Sequence, residues 1–168
     1  MSARVETVEL VDDGHVPNHP SYPLVLYHDA FLGAGTQDVI ATFGANGWQG
    51  AWVNGIFPYH HYHARSHEVL ANVGPAVKVQ FGGASGPVLS FETGMAVVIP
   101  AGGGHCRLSD GGGLKIVGAY PQGQEDWDLK RADRPDDYAA AKAEIAAVAR
   151  PLHDPVVGSG GPLLELWV

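Results

Sequence analysis

The sequence turns on Gly55-Ile-Phe-Pro-Tyr-His-His-Tyr-His-Ala-Arg-Ser-His-Glu68. Four of the chain's nine histidines and a glutamate fall within the nine residues His60 to Glu68. Read as an extended strand, Tyr59–His63 alternates, so His61 and His63 share one face while His60 and Tyr62 share the other. Two imidazoles one strand repeat apart, joined by a carboxylate from the next strand, can converge on one cation. Neutral imidazole and carboxylate together suit a divalent transition metal better than calcium or magnesium.

Outward from that stretch, the chain reads as short strands: 5–11, 22–27, 50–53, 59–63, 68–73, 76–81, 88–91, 96–99, 105–109 and 115–120. The separators carry turn chemistry, as in Gly74-Pro75, Gly82-Gly83-Ala-Ser-Gly-Pro87, Thr93-Gly94 and Asp110-Gly-Gly-Gly113. Many short strands at roughly 8–12-residue spacing predict an antiparallel sandwich or barrel. A short helix is expected over 37–43. A second is expected over about 135–149, where Pro135 starts it, Asp136 and Asp137 suit its dipole, and Tyr138, Ala141, Ile145 and Val148 form one face. That face is expected to pack on the barrel. The apolar run 163–168 is expected to be a terminal strand, paired in a sheet or buried in a dimer interface.

The bulk properties agree with a single domain spanning 1–168. With 168 residues, 45% hydrophobic and 17% charged, the chain has the composition of a globular protein with a proper core. A net charge of −8 argues against nucleic-acid or anionic-membrane partners. No apolar run approaches the roughly 18 residues of a membrane-spanning helix. The single cysteine, Cys106, makes no internal disulfide and suits a cytoplasmic location.

The other half of the site lies in Gly94-Met-Ala-Val-Val-Ile-Pro100-Ala-Gly102-Gly-Gly-His105. A glycine turn, an apolar strand and a proline-glycine turn return a histidine to the mouth of the next strand. Together the two stretches resemble the cupins, whose motifs are G-x5-H-x-H-x3-4-E-x6-G and G-x5-P-x-G-x2-H-x3-N. Gly55, His61, His63 and Glu68 match the first (55–75), and Gly94, Pro100, Gly102 and His105 match the second (94–109). Two positions depart: Pro75 stands where the first motif closes on glycine, with Gly74 one residue early, and Ser109 replaces the final asparagine. The flanks HHYHARSHEVL, IPAGGGHC, GAYPQGQEDWD and GPLLELW look like the small bacterial YjlB-type cupins. The resemblance implies a mainly-β, double-stranded β-helix (jelly-roll) barrel with one helix packed outside near the C-terminus. It brings no known reaction with it.

On this reading His61, His63, Glu68 and His105 are the expected ligands of one divalent transition metal: iron, manganese, nickel, zinc or copper. His67 is an alternative to Glu68, and His60 a neighbour of the site. Cys106 alternates away from His105 and is expected in the core. Trp52, Phe81, Arg107 and Tyr120 are candidate pocket residues beside Trp48 and Phe57, with the core as the default place for the aromatics of a small barrel, and Arg65, Arg107, Lys78 and Tyr120 are candidates for holding an anionic substrate. Such a site leaves metal positions open for a small-molecule substrate or dioxygen. The expected function is a metal-dependent dioxygenase or isomerase; a non-catalytic metal- or ligand-binding sensor is the alternative. A homodimer is expected.

Overall fold

A computed structural model describes residues 3–109 and 112–168, so Asp110 and Gly111 of the expected 110–113 turn lie outside the described residues. In chain order the strands are β1 Arg4–Val8, β2 Leu24–His28, β3 Trp48–Asn54, β4 His61–Tyr62, β5 Glu68–Asn72, β6 Val77–Phe81, β7 Val88–Phe91, β8 Ala96–Ile99, β9 His105–Arg107, β10 Ile116–Pro121 and β11 Lys130–Arg131. The helices are α1 Thr36–Ala45, α2 Pro135–Ala146 and α3 Leu163–Leu166. The strands form two antiparallel sheets, ordered β1-β2-β8-β5-β10-β3 and β11-β4-β9-β6-β7. This is the mainly-β jelly-roll barrel that the resemblance implies.

Strands β5, β8 and β10 are buried along their whole length because the six-stranded sheet is covered on both faces. Their alternation sorts the core into two layers. Leu70, Val97, Ile99 and Ile116 face the barrel interior with Val77, Val79, Phe81 and Phe91. Val69, Ala71, Ala96, Val98, Val117 and Ala119 face outward, against Val39 and Phe43 of α1 and against Leu163 and Trp167. The outer layer leaves the inner face free to carry Glu68 and Tyr120 as well as hydrocarbon.

Helix α2 packs on the barrel as expected. Its buried Ala141 and Ile145 join Val16, Tyr62, Ala64 and Ala101, with Val148 alongside. The helix ends at Ala146, short of the expected 149.

The expected terminal strand at 163–168 is instead the helical turn α3. A buried carboxylate explains the difference: Asp154 Oδ2 accepts the Leu163 N–H at 3.1 Å and the Tyr27 hydroxyl at 2.5 Å. With its first amide docked there, the segment puts Leu163 and Trp167 on one side, four residues apart and both fully buried. The Trp167 indole N–H donates to the Pro23 carbonyl. The terminal apolar run therefore completes this chain's own outer core.

The two departures from the motifs are both accommodated. Gly74 takes the turn one residue early, and a β-carbon there would stand 2.8 Å from the Lys115 nitrogen. Asn72 closes the same turn, accepting the Gly74 N–H and donating to the Pro75 carbonyl. Ser109 Oγ accepts the Lys78 N–H at 2.9 Å, tying the end of the second motif to β6.

Candidate metal centre

The short strand β4 pairs with β9 so that His61 stands directly opposite His105. Direct partners in an antiparallel pair project from the same face, which brings the two rings to 4.0 Å between centroids. His63, two residues along, reaches the same point. The ligand-capable atoms of His61, His63 and His105 all lie within 4.8 Å of one another, and all three side chains are buried. Glu68 opens β5 in the opposite sheet, so the cluster bridges the two halves of the barrel. Its Oε1 lies 3.5 Å from His63 Nε2 and 3.3 Å from His105 Nε2.

The outer nitrogen of each ring decides what the inner one can do. Nδ1 of His61 meets the Tyr59 carbonyl at 2.9 Å, that of His63 the Asp128 carbonyl at 2.5 Å, and that of His105 the Gly103 carbonyl at 3.1 Å. A carbonyl can only accept, so Nδ1 carries the proton in all three rings and, in a neutral ring, Nε2 holds a lone pair. With all three rings neutral, three lone pairs and a carboxylate face one another without a donor among them, and only a proton on His63 would give Glu68 one. A cation resolves that conflict. Ligands about 2.1 Å from a common centre stand about 3.0–3.4 Å apart at octahedral to tetrahedral angles, close to the Glu68 separations. The set therefore fits a divalent metal.

The electrostatics show the same frustration. Burial drives the His61 pKa down to about 2, and His105 beside it adds to the effect. Burial also opposes a charge on His63, but the adjacent Glu68 carboxylate outweighs it and leaves that pKa raised. For Glu68 the burial penalty is overcome by His63 and His105, and the carboxyl is held well below its usual range. The carboxylate stays ionised and draws positive charge to the centre.

Around the cluster lies a cavity of about 820 Å³, lined by Trp52, Ile56, Phe57, Leu70, Arg107, Leu114, Tyr120 and Trp127 as well as the four site residues. Trp52 donates its indole N–H to the Tyr120 hydroxyl at 2.8 Å. Burial, then the neighbouring Glu68, raise the Tyr120 pKa and keep the hydroxyl protonated.

The remaining candidates lie outside the cluster, some against expectation and others, such as Cys106 in the core, in line with it. Phe81 is a register partner of His105, but its side chain is fully buried in the barrel core and does not line the cavity. Trp48 likewise sits in the outer core. Lys78 is exposed on β6, and Arg65 borders a separate shallow groove. His67 is no alternative to Glu68. It points to the outer face, where its Nδ1 accepts the Ala101 N–H at 2.8 Å and its ring packs 4.8 Å from Trp167. His60 is half-buried on the opposite face from His61, with no partner for Nδ1. Cys106 is buried away from the centre, and burial raises its thiol pKa.

Trp127 and Asp128 are the residues that sequence reasoning missed. Trp127 packs 5.2 Å from the His63 ring at the cavity wall. Asp128 holds His63 through its main chain, and its Oδ1 accepts the Ala64 and Arg65 N–H groups, each at 2.9 Å. Both lie in the GAYPQGQEDWD flank that carries the resemblance, but no periodicity distinguishes Asp126-Trp127-Asp128 from a solvated loop.

No family profile matches the chain. A curated relative, "Uncharacterized protein YjlB" of Bacillus subtilis, is 42% identical over 168 residues, covering 100% of this chain and 99% of the relative. The chain belongs to the YjlB family. Among solved structures, this YjlB-family chain is similar to acireductone dioxygenase from Bacillus anthracis with a cadmium ion in its active centre: 14% identity, 54% of this chain, 60% of that one, TM-score 0.39. It is also similar to the formate complex of Lactobacillus farciminis oxalate decarboxylase, with 14% identity, 89% of this chain, 40% of that one and a TM-score of 0.37. The matches span less than two thirds of those two chains, and at such scores neither bears on what this protein binds or does.

Proposed function

We propose that this protein is a mononuclear metal-dependent enzyme of the dioxygenase or isomerase type, acting on an oxygenated small molecule, with His61, His63, Glu68 and His105 as the ligand set. One observation carries the reading. All three histidines donate Nδ1–H to main-chain carbonyls, which presents three Nε2 lone pairs and a buried carboxylate to one point. A cation held there supplies Lewis-acid polarisation of a substrate carbonyl or enolate, with redox chemistry added if the ion is iron, manganese or copper.

The chain's own residues supply the rest. Tyr120, kept protonated beside Glu68 and oriented by Trp52, offers a hydroxyl at the edge of the centre. Trp127, Leu114 and Phe57 give the cavity an apolar wall beside the centre. The cavity itself favours turnover over the sensor alternative, because side chains do not close it over the ligand set.

Metal analysis of protein purified without added metal, beside His105→Ala, tests the proposal. The expected result is about one divalent ion per chain in the wild type and none in the variant. A wild type that carries no stoichiometric metal and binds none on titration would overturn it. Oxygen-electrode and isomerisation assays on the metal actually found then separate the two reaction types.

A further inference from the structure

We propose that Asn54-Gly55, on the cavity wall, is a site of spontaneous deamidation that turns a neutral amide into a carboxylate, and that the fold spares the chain's other Asn-Gly pair, Asn46-Gly47. The inference rests on local geometry and is independent of the metal-centre reading. Glycine after asparagine leaves imide closure least hindered, because it has no side chain to block the approach. In sequence the two pairs are equal, so structure alone separates them.

At Asn54 the reacting groups already touch. The Gly55 N–H donates to Asn54 Oδ1 at 2.9 Å, which holds the attacking nitrogen beside the carboxamide carbon. That is the only hydrogen bond of the Asn54 carboxamide among the described residues, and Asn54 is exposed. Asn54 is also the last residue of β3, which forms one edge of the six-stranded sheet. Ring closure must swing its main chain out of the extended form, and the end of an edge strand opens at low cost. The approach is uncrowded: a β-carbon on Gly55 would meet only Leu114 Cδ1, at 3.6 Å.

Asn46-Gly47 is held in the opposite way. Asn46 caps the C-terminus of α1, and the Gly47 N–H donates back to the Gly44 carbonyl at 3.1 Å. Asn46 Nδ2 donates to the Pro155 carbonyl at 2.8 Å, tying the carboxamide to a distant loop. The nitrogen and the carboxamide are each engaged elsewhere.

The reaction needs only water and a solvent base. The Gly55 nitrogen gives up its proton and bonds to Asn54 Cγ, and the carboxamide nitrogen leaves as ammonia after taking a proton. Water then adds to either carbonyl of the succinimide and breaks its C–N bond, giving aspartate or isoaspartate. Both products put a carboxylate on the wall beside Ile56 and Leu114. Isoaspartate also inserts a methylene into the main chain between β3 and the segment that leads to His61.

Peptide mapping by mass spectrometry tests this on the full chain, aged in mildly alkaline buffer at physiological temperature, folded and in urea. Enzymatic methylation of isoaspartyl carboxylates reads the second product. In the folded chain Asn54 is expected to convert at least about tenfold faster than Asn46, because orientation of the attacking nitrogen sets the rate. In urea the two pairs should convert at similar rates. Asn54→Gln should remove the product at this position. Gly55→Ala, whose added methyl makes only an ordinary contact with Leu114, should slow its formation. Folded protein in which Asn54 stays intact, or in which Asn46 converts as fast, overturns the inference. So does an unfolded chain in which Asn46 still resists, since the fold would then not be what protects it.

Discussion

His67 and the trio His61, His63 and His105 are all buried histidines within one barrel, yet the main chain treats them in opposite ways. In the trio, carbonyls take the Nδ1 proton and turn Nε2 into a lone pair aimed at a shared point. At His67 an N–H from Ala101 occupies Nδ1, so in the neutral ring Nε2 must carry the proton, turned toward the Ala149 carbonyl. Neither nitrogen of His67 is then available to a cation. Burial and residue type do not separate a candidate ligand from a packing residue here; the polarity of one backbone group does.

The sharpest way to break this contrast is to remove one ring of each kind. His105→Ala is expected to lower zinc affinity by more than about 100-fold, beyond the 10–100-fold that loss of a supporting partner typically costs, as read by competition with a chelator. His67→Leu is expected to leave zinc stoichiometry at the wild-type value. It should lower stability by about 1–3 kcal/mol at pH 7, because the buried Ala101 N–H loses its acceptor. If His67→Leu loses the metal, the two classes of histidine are one.

Acid sharpens the same comparison. Burial lowers the His67 pKa to about 3, with His19 adding to it, and burial lowers that of His19 to about 4. An unfolded chain protonates both near pH 6.5. Below that pH the unfolded state binds protons that the native state does not, so stability is complete above pH 6.5 and falls as the pH falls. At up to about 1.4 kcal/mol per pH unit, the fully buried His67 alone accounts for about 2 kcal/mol between pH 6.5 and pH 5. Urea unfolding of the metal-free protein should show this loss. Since His67→Leu lacks the titrating group, the gap between wild type and variant should close by about that amount at pH 5. A gap that does not change with pH would mean that His67 titrates normally in the folded protein.

Much of this site was legible in the sequence because its candidate ligands obey strand alternation and fixed spacing. His61 and His63 face inward, His60 outward, and the Gly94–His105 hairpin lands His105 opposite His61. Alternation also favoured Glu68 over His67, and the observed hydrogen bonds give the physical reason. What stayed hidden depends on contacts that no local pattern encodes. Phe81 carries the alternation of a pocket residue, yet the barrel interior below the site claims it. The run 163–168 is apolar enough for a strand, and only the distant Asp154, by accepting the Leu163 N–H, turns it into a helical turn. Asp128 supports His63 through a main-chain carbonyl, a role that any residue type could fill and that therefore leaves no mark in the sequence.

That last support can be tested through the part of Asp128 that is specific. Its Oδ1 accepts two N–H groups just after His63, at Ala64 and Arg65, and so clamps the 124–131 strap to the end of β4. Asp128→Ala frees both amides and lets the carbonyl that orients His63 drift, which should cost about tenfold in zinc affinity. Asp128→Asn keeps a side-chain oxygen that can accept the same bonds, so most of that affinity should return. Chelator competition on the two variants reads the difference. Equal losses would show that the carboxylate acts through its charge rather than as a clamp, and no loss in either would mean that His63 keeps its orientation without the strap. The ordering Ala below Asn below wild type is what a positioning role requires, because only the geometry of the accepted bonds separates the two substitutions.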